Sequence, residues 1–401
     1  MAVERRFQRE DRGDLNVNEI ISRMHSYVIR RRGLSWRFVD REGEARSIAA
    51  GGSIAEEGMI TVIYGPKGCG KSTFFKVLSQ SIDPWVDRTL IVVVSMPEEE
   101  EVRRAAEESL ELYMPRGYAG SIFNALKSVV RDITIYTSGV AAIRGEGLRD
   151  AAKKILASLK TLRADRVIVV ADEERASGNI EGFRGWLERM ANLVSQINDE
   201  YAETGSEASL IILTSDASAA KVSEEVGNKV NWALIWNLTR KSSEKLIEQV
   251  GLHRRVAGEL GVSAEASKEI LWRLAGGNPR ELESIGSIGI LGWVRATVNR
   301  LGNIIDNAIR GLGEGLVWDD VERILARVDI MGRVKVFDYL LRGNIAIYMN
   351  IGTPISELPR EPWVGERYAF QIPVYYHVLK AMARKRSWDI SPEDVIREAV
   401  S

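Results

Sequence analysis

Residues 61–75 read TVIYGPKGCGKSTFF. Four β-prone residues, Thr61 to Tyr64, run directly into a glycine-rich turn, then a lysine, two hydroxyls and an apolar pair. GPKGCGKS fits the pattern G-x-x-x-x-G-K-[ST], with Gly65, Gly70, Lys71 and Ser72 at the fixed positions. The glycines let the backbone fold so that several N–H groups point at one anion, and the helix that follows adds the positive end of its dipole. The setting is the required one: a predicted strand before the turn and a predicted helix, STFFKVLSQ, after it. Gly65, Pro66, Lys67, Gly68, Cys69, Gly70, Lys71, Ser72 and Thr73 are therefore the expected phosphate-binding loop. In it Lys71 would reach the β- and γ-phosphates and Ser72 would hold Mg2+. Cys69 reads as a small residue in a tight loop rather than a redox group.

Working outward, the apolar runs MITVIYG (59–65), TLIVVVS (89–95), RVIVVAD (166–172), SLIILTS (209–215) and NWALIWNLT (231–239) are short, continuous and β-rich. Strands of that kind are covered on both faces of a parallel sheet. The intervals leave room for crossover helices, so residues 37–240 read as an α/β layer domain, with ITIYT (133–137) as an extra strand. Residues 1–36 read as a polar arm and a helix, NVNEIISRMHSYVIRRRG, whose Ile20, Ile21, Met24 and Val28 share a face and whose stop is Gly33. Residues 241–290 read as a helical lid built from KSSEKLIEQVG, SAEASKEILWRLAGG and NPRELESIG. In the last of these Asn278 suits the N-cap, Pro279 the first helical position and Glu281 the third position of a capping box. In 291–401, helical DDVERILARV and VKVFDYLLRG precede β-prone NIAIYMNIG and RYAFQIP, the order of a small winged-helix-like domain.

Three further places carry chemistry. VVADEE puts Asp172 at a strand tip, where an acid orients Mg2+, and Glu173 next to it as general base for the attacking water. ILTSDAS offers Thr214 or Ser215 as a hydroxyl that senses the γ-phosphate, with Thr214 taken as the contact. Arg280 stands in the first turn of a helix, where a cation opposes the dipole; an anion held nearby relieves that cost. A γ-phosphate contact from this segment would close the lid when ATP is bound.

Together these stretches resemble the AAA+ ATPases, and within them the archaeal ATPase family related to the STAND signalling class. FVDREGE (38–44) resembles the h-h-G-R-E-x-E box, with Asp40 where glycine usually stands. YGPKGCGKST resembles that family's Walker A segment, VVADEE its Walker B, GGNPREL its sensor-2 segment and YAFQIP its F-x-x-P pattern. The resemblance implies ATP rather than GTP, a five-stranded αβα core, a helical lid and a C-terminal winged helix, with Arg280 on the γ-phosphate. Two departures stand out. Ser215 and Asp216 follow the fourth strand where related proteins carry arginine, and AAKVSEEVGNKVN (219–231) offers only Lys221 and Lys229 in place of an arginine finger. Both point to a monomer or small oligomer with slow turnover rather than an obligate hexamer.

Composition narrows the partners. The chain is 45% hydrophobic and 28% charged with a formal net charge of −1, so no global positive field draws it to nucleic acid or membranes. One cysteine excludes an internal disulfide, and three scattered histidines do not suggest a zinc cluster. The start is charged throughout and the most apolar run, SIGSIGILGWV (284–294), is far short of a membrane span, so a cytoplasmic protein is expected. The basic triplets at 30–32 and 384–386 are the expected phosphate contacts if the winged helix meets double-stranded DNA. The expected function is an ATP-driven conformational switch with DNA or a protein as partner. The alternatives are an ATP-gated protein-interaction module without DNA binding and an origin-recognition-type initiator, for which DEER lacks the usual D-E-x-D.

Overall fold

The five apolar runs become neighbouring parallel strands. The computed structural model describes residues 17–31, 34–49, 60–95, 109–114, 132–136, 140–144, 165–172, 180–201, 207–215, 217–227 and 230–401. Helix α1 (Val17–Ser26) leads into a hairpin of β1 (Val28–Arg31) and β2 (Leu34–Arg37), then helix α2 (Glu42–Ala49). The sheet begins with β3 (Ile60–Tyr64), helix α3 (Lys71–Ser81) and β4 (Thr89–Ser95). Next come β5 (Ser109–Tyr113), β6 (Asp132–Tyr136), β7 (Val140–Arg144) and β8 (Arg166–Asp172). Helix α4 (Ile180–Tyr201), β9 (Glu207–Thr214) and β10 (Val230–Leu234) complete this part.

Parallel strands β10–β3–β9–β8–β4 form the centre of a nine-stranded sheet. Strands β5, β7 and β6 extend it antiparallel beyond β4, and β6 is the predicted ITIYT strand. The five-stranded core implied by the resemblance is thus present and extended at both edges. Alternate residues face opposite layers. Leu90, Val92 and Val94 pack with Phe183, Leu187 and Met190 of α4, while Ile91 and Val93 pack with Phe74, Phe75 and Leu78 of α3. Each such buried side chain stabilises the fold by roughly 1.5–3 kcal/mol, which is why these strands are apolar on both faces.

The predicted N-terminal helix stops earlier than its apolar spacing suggests. After Ser26 the chain turns, with Tyr27 N–H donating to Met24 O, and Val28 is 43% exposed instead of sharing the helix's buried face. Tyr27, Val28 and Ile29 lose side-chain freedom in a helix and gain cross-strand packing as a hairpin, where Ile29 pairs with Trp36.

The remaining chain is mostly helical: α5 (Arg240–Gln249), α6 (Leu252–Leu260), α7 (Ala264–Ala275), α8 (Pro279–Ile288), α9 (Ile290–Leu312), α10 (Glu314–Ala326) and α11 (Phe337–Arg342). Strands β11 (Ala346–Tyr348) and β13 (Tyr368–Phe370) pair antiparallel and precede α12 (Pro373–Lys385) and α13 (Pro392–Val400). The loop between them sends out a two-residue strand, β12 (Thr353–Pro354), which joins the main sheet parallel to β10. One apolar core runs from α1 and α3 through α5–α8 into the C-terminal helices.

Candidate nucleotide site

Strand order reverses at β3: β10 lies on one side, β9 on the other, and α3 carries the chain over to β4. An open parallel sheet presents its crevice at such a point, beyond the carboxyl ends of the strands. The glycine-rich loop sits there. Gly68 and Gly70 have φ values of 83° and 97°, which a side chain would strain. Gly65 is required for closeness instead, because a Cβ there would come 1.9 Å from Ile235 O. Gly70 is the N-cap of α3 and offers no capping side chain, so the first N–H groups of the helix are left for an anion.

Lys71 is 5% exposed, and its Nζ donates to Gly65 O at 2.9 Å and Pro66 O at 3.1 Å. Burial pushes its pKa down, with Cys69 and Asp172 acting in the opposite direction and Arg280 adding to the fall. A phosphate at this point would favour the charged form. Ser72 Oγ donates to Asp172 Oδ1 at 2.8 Å, which joins the predicted Mg2+ ligands of loop and strand. A hydroxyl and a carboxylate are the hard oxygen donors that magnesium takes, so the pair fits the ion. Thr214 is buried at the end of β9, level with Tyr64 and one residue beyond the Leu213–Asp172 pairing. Glu173 and Asp216 lie outside the described residues.

Helix α8 lies against the loop. Arg280 N–H donates to Gly68 O at 3.4 Å, and a Cβ on Gly68 would come 2.5 Å from Arg280 Cβ. Asn278 caps α8 as predicted, accepting from Glu281 N–H at 3.3 Å. The reciprocal half of the capping box is absent: Glu281 Oε2 instead accepts from Trp293 Nε1 at 2.6 Å. The Asn278 amide also donates to Lys67 O and to Asn237 Oδ1, both at 2.9 Å. Pro279, which also approaches Gly70, lines a mostly apolar cleft together with Leu34, Trp36, Leu246, Val250 and Leu282, with Arg255 and Glu283 as charged members of its lining.

Two residues of the site escape sequence reasoning. Arg41 is 2% exposed; its Nη2 donates to Cys69 O at 2.6 Å and Trp236 O at 2.8 Å, and its Nη1 to Glu44 Oε1 at 2.5 Å. Asp40 and Arg41 both have positive φ, 68° and 77°, which explains why glycine suits position 40. Aspartate manages there by accepting from Thr239 N–H at 2.9 Å and Arg41 N–H at 2.9 Å. Gln371, in the C-terminal part, accepts from Lys67 N–H at 2.9 Å. Of the basic residues expected to meet phosphates, those at 384–386 each form an ion pair: Arg384 with Glu398, Lys385 with Asp394 and Arg386 with Glu322.

A phosphate-binding loop at the switch point of a parallel sheet, with an acid at the tip of β8, one strand removed from β3, defines a P-loop NTPase-type protein. The chain belongs to the family of ATPase domains found predominantly in Archaea, whose family model matches residues 38–285, more than half of the chain. No curated protein and no solved structure matches it. Among the described residues no helix is long and apolar enough to cross a membrane.

Proposed function

We propose that the chain binds ATP with Mg2+, hydrolyses it slowly and uses the cycle as a conformational switch. The observation that carries this reading is that two adjacent loop residues, Lys67 and Gly68, are each held from the lid, by Asn278 and Arg280, and Lys67 also by Gln371. A change in the loop is therefore felt at once by both following parts, which we read as a lid (241–290) and a winged-helix-like domain (291–401). The apolar cleft beside Pro279 receives the base, and the loop N–H groups, Lys71 and Arg280 receive the phosphates. Ser72 and Asp172 would hold Mg2+, which when bound neutralises charge on the phosphate oxygens. Thr214 orients the γ-phosphate or the lytic water. Glu173 takes the proton of that water as its oxygen bonds to the γ-phosphorus and the bond to the β–γ bridging oxygen breaks.

For the partner, the acid-paired triplet at 384–386 favours an ATP-gated contact with a protein over DNA. Steady-state ATPase assays on the full chain, with and without duplex DNA, test both parts. Wild type is expected to turn over slowly, Lys71→Ala to lose at least about tenfold in ATP affinity, and Glu173→Gln to bind without turnover. Unchanged affinity in Lys71→Ala would overturn the site. A rate raised by DNA and abolished by salt would overturn the protein-partner reading.

A further inference from the structure

Four residues from four parts of the chain form a closed ring of hydrogen bonds around the start of the phosphate loop. Lys67 N–H donates to Gln371 Oε1 at 2.9 Å, and Asn278 Nδ2 donates to Lys67 O at 2.9 Å. The same Asn278 amide donates to Asn237 Oδ1 at 2.9 Å, and Asn237 Nδ2 donates to the main-chain carbonyl of Gln371 at 2.9 Å. Gln371 N–H donates to Ile345 O at 2.9 Å, so the residue is fixed through its backbone as well. Gln371 lies between β13 and α12 and is 2% exposed.

One atom of this ring is left over. Gln371 Nε2 is buried and has no hydrogen-bond acceptor among the described residues. Native proteins rarely leave such a donor without a partner, and doing so is costly. Turning the amide over offers no relief, because it would set NH2 against the Lys67 N–H, donor against donor. The geometry therefore fixes a buried N–H donor against the loop that receives the phosphates.

We propose that Gln371 is a ligand of the nucleotide: its Nε2 donates to an oxygen of the terminal phosphates, so the C-terminal part of the chain contacts the bound nucleotide directly. This rests on the nucleotide reading above. It makes Gln371 a specificity residue that favours di- and triphosphates over the monophosphate, and it ties the anchorage of α12 to the occupancy of the loop.

The test is calorimetric binding of AMP and of a non-hydrolysable ATP analogue, both with Mg2+, to the full chain. Gln371→Glu keeps an acceptor for the Lys67 N–H and removes the donor; Gln371→Leu removes both at similar volume. Thermal unfolding without ligand checks that each variant folds, and either one alone decides the question. The expected result is a loss of about 10- to 100-fold in affinity for the analogue, larger for Glu than for Leu, with AMP unchanged. A lowered melting temperature with both affinities within twofold of wild type would make Gln371 a structural clasp and overturn the proposal. If wild type binds neither compound, the nucleotide reading itself fails and this proposal with it. If Lys71→Ala loses the analogue while both Gln371 variants keep it, only this proposal fails.

Discussion

Replacing Arg41 by methionine tests the connection between the loop and the rest of the site. The Arg41 and Glu44 side chains are 2% and 5% exposed and pair at 2.5 Å. Removing the guanidinium leaves the Glu44 carboxylate buried, with Ser356 Oγ, which donates to it at 2.6 Å, as its remaining donor among the described residues. Breaking a buried pair from one side costs about 3–5 kcal/mol. The carbonyls of Cys69 and Trp236 lose their donor as well, at about 1 kcal/mol each. Replacing both partners, as in Arg41→Met with Glu44→Leu, removes the stranded charge and leaves only the carbonyl term. The expected order in urea unfolding is therefore a loss of about 5–7 kcal/mol for the single substitution and about 2 for the double. Nucleotide affinity should fall in both, because Cys69 is released in each. A single substitution costing under about 1 kcal/mol, or a double no better than the single, would refute the view that Arg41 offsets a buried charge.

Two further outcomes are expected. Gly65→Ala places a methyl where Ile235 O already stands, 1.9 Å away, and backbone on both sides cannot yield cheaply; nucleotide binding should be lost, and retained affinity would show that the loop relaxes. His377 is held down to a pKa of about 4 by burial, with Lys380 and Arg273 adding to the effect, beside the rings of Trp363 and Tyr376. Its folded pKa lies below the ordinary 6.5, so its contribution is complete above pH 6.5 and is lost as pH falls towards 4, about 3 kcal/mol in all. His377→Phe should flatten that limb of the stability–pH curve, and an unchanged limb would assign it elsewhere.

The parts legible in the sequence are those whose physics is local. A phosphate loop needs dihedrals that glycine permits and a lysine and hydroxyl at fixed intervals, and TVIYGPKGCGKSTFF shows all of them in fifteen letters. Strands buried on both faces must be apolar throughout, so β4 and β8 match the predicted runs residue for residue. The hairpin of β1 and β2 was hidden because Ile20, Ile21, Met24 and Val28 also fit a helical period. Strand β12 has two residues, one of them proline, and no pattern can announce it. Arg41 left a trace: Asp40 at a glycine position marks left-handed backbone, and Glu44 lies one helical turn on. Gln371 left a fainter one, a lone polar residue inside the apolar run YAFQIPV. Neither trace names the partners that matter to the site, because the contacts of Arg41 with Cys69 and Trp236 and of Gln371 with Lys67 span far more chain than any local rule covers.

Those long contacts converge. Gln371 reaches Lys67, Ser356 reaches Trp236 N–H and Arg41, and Ile355 N–H donates to Leu234 O. Each lands on the phosphate loop or on the strand end and buried arginine that support it. If the C-terminal part rearranges when a partner binds, these bonds are what must change, and loop occupancy changes with them. Linkage then sets the size and symmetry of the effect. A partner that weakens nucleotide binding tenfold is itself bound tenfold more weakly by the loaded chain, a coupling of about 1.4 kcal/mol. That is the order of one hydrogen bond to a charged group. The proposed Gln371 contact would by itself supply energy of the order such a switch needs, and the Gln371 variants should then reduce the coupling together with the affinity.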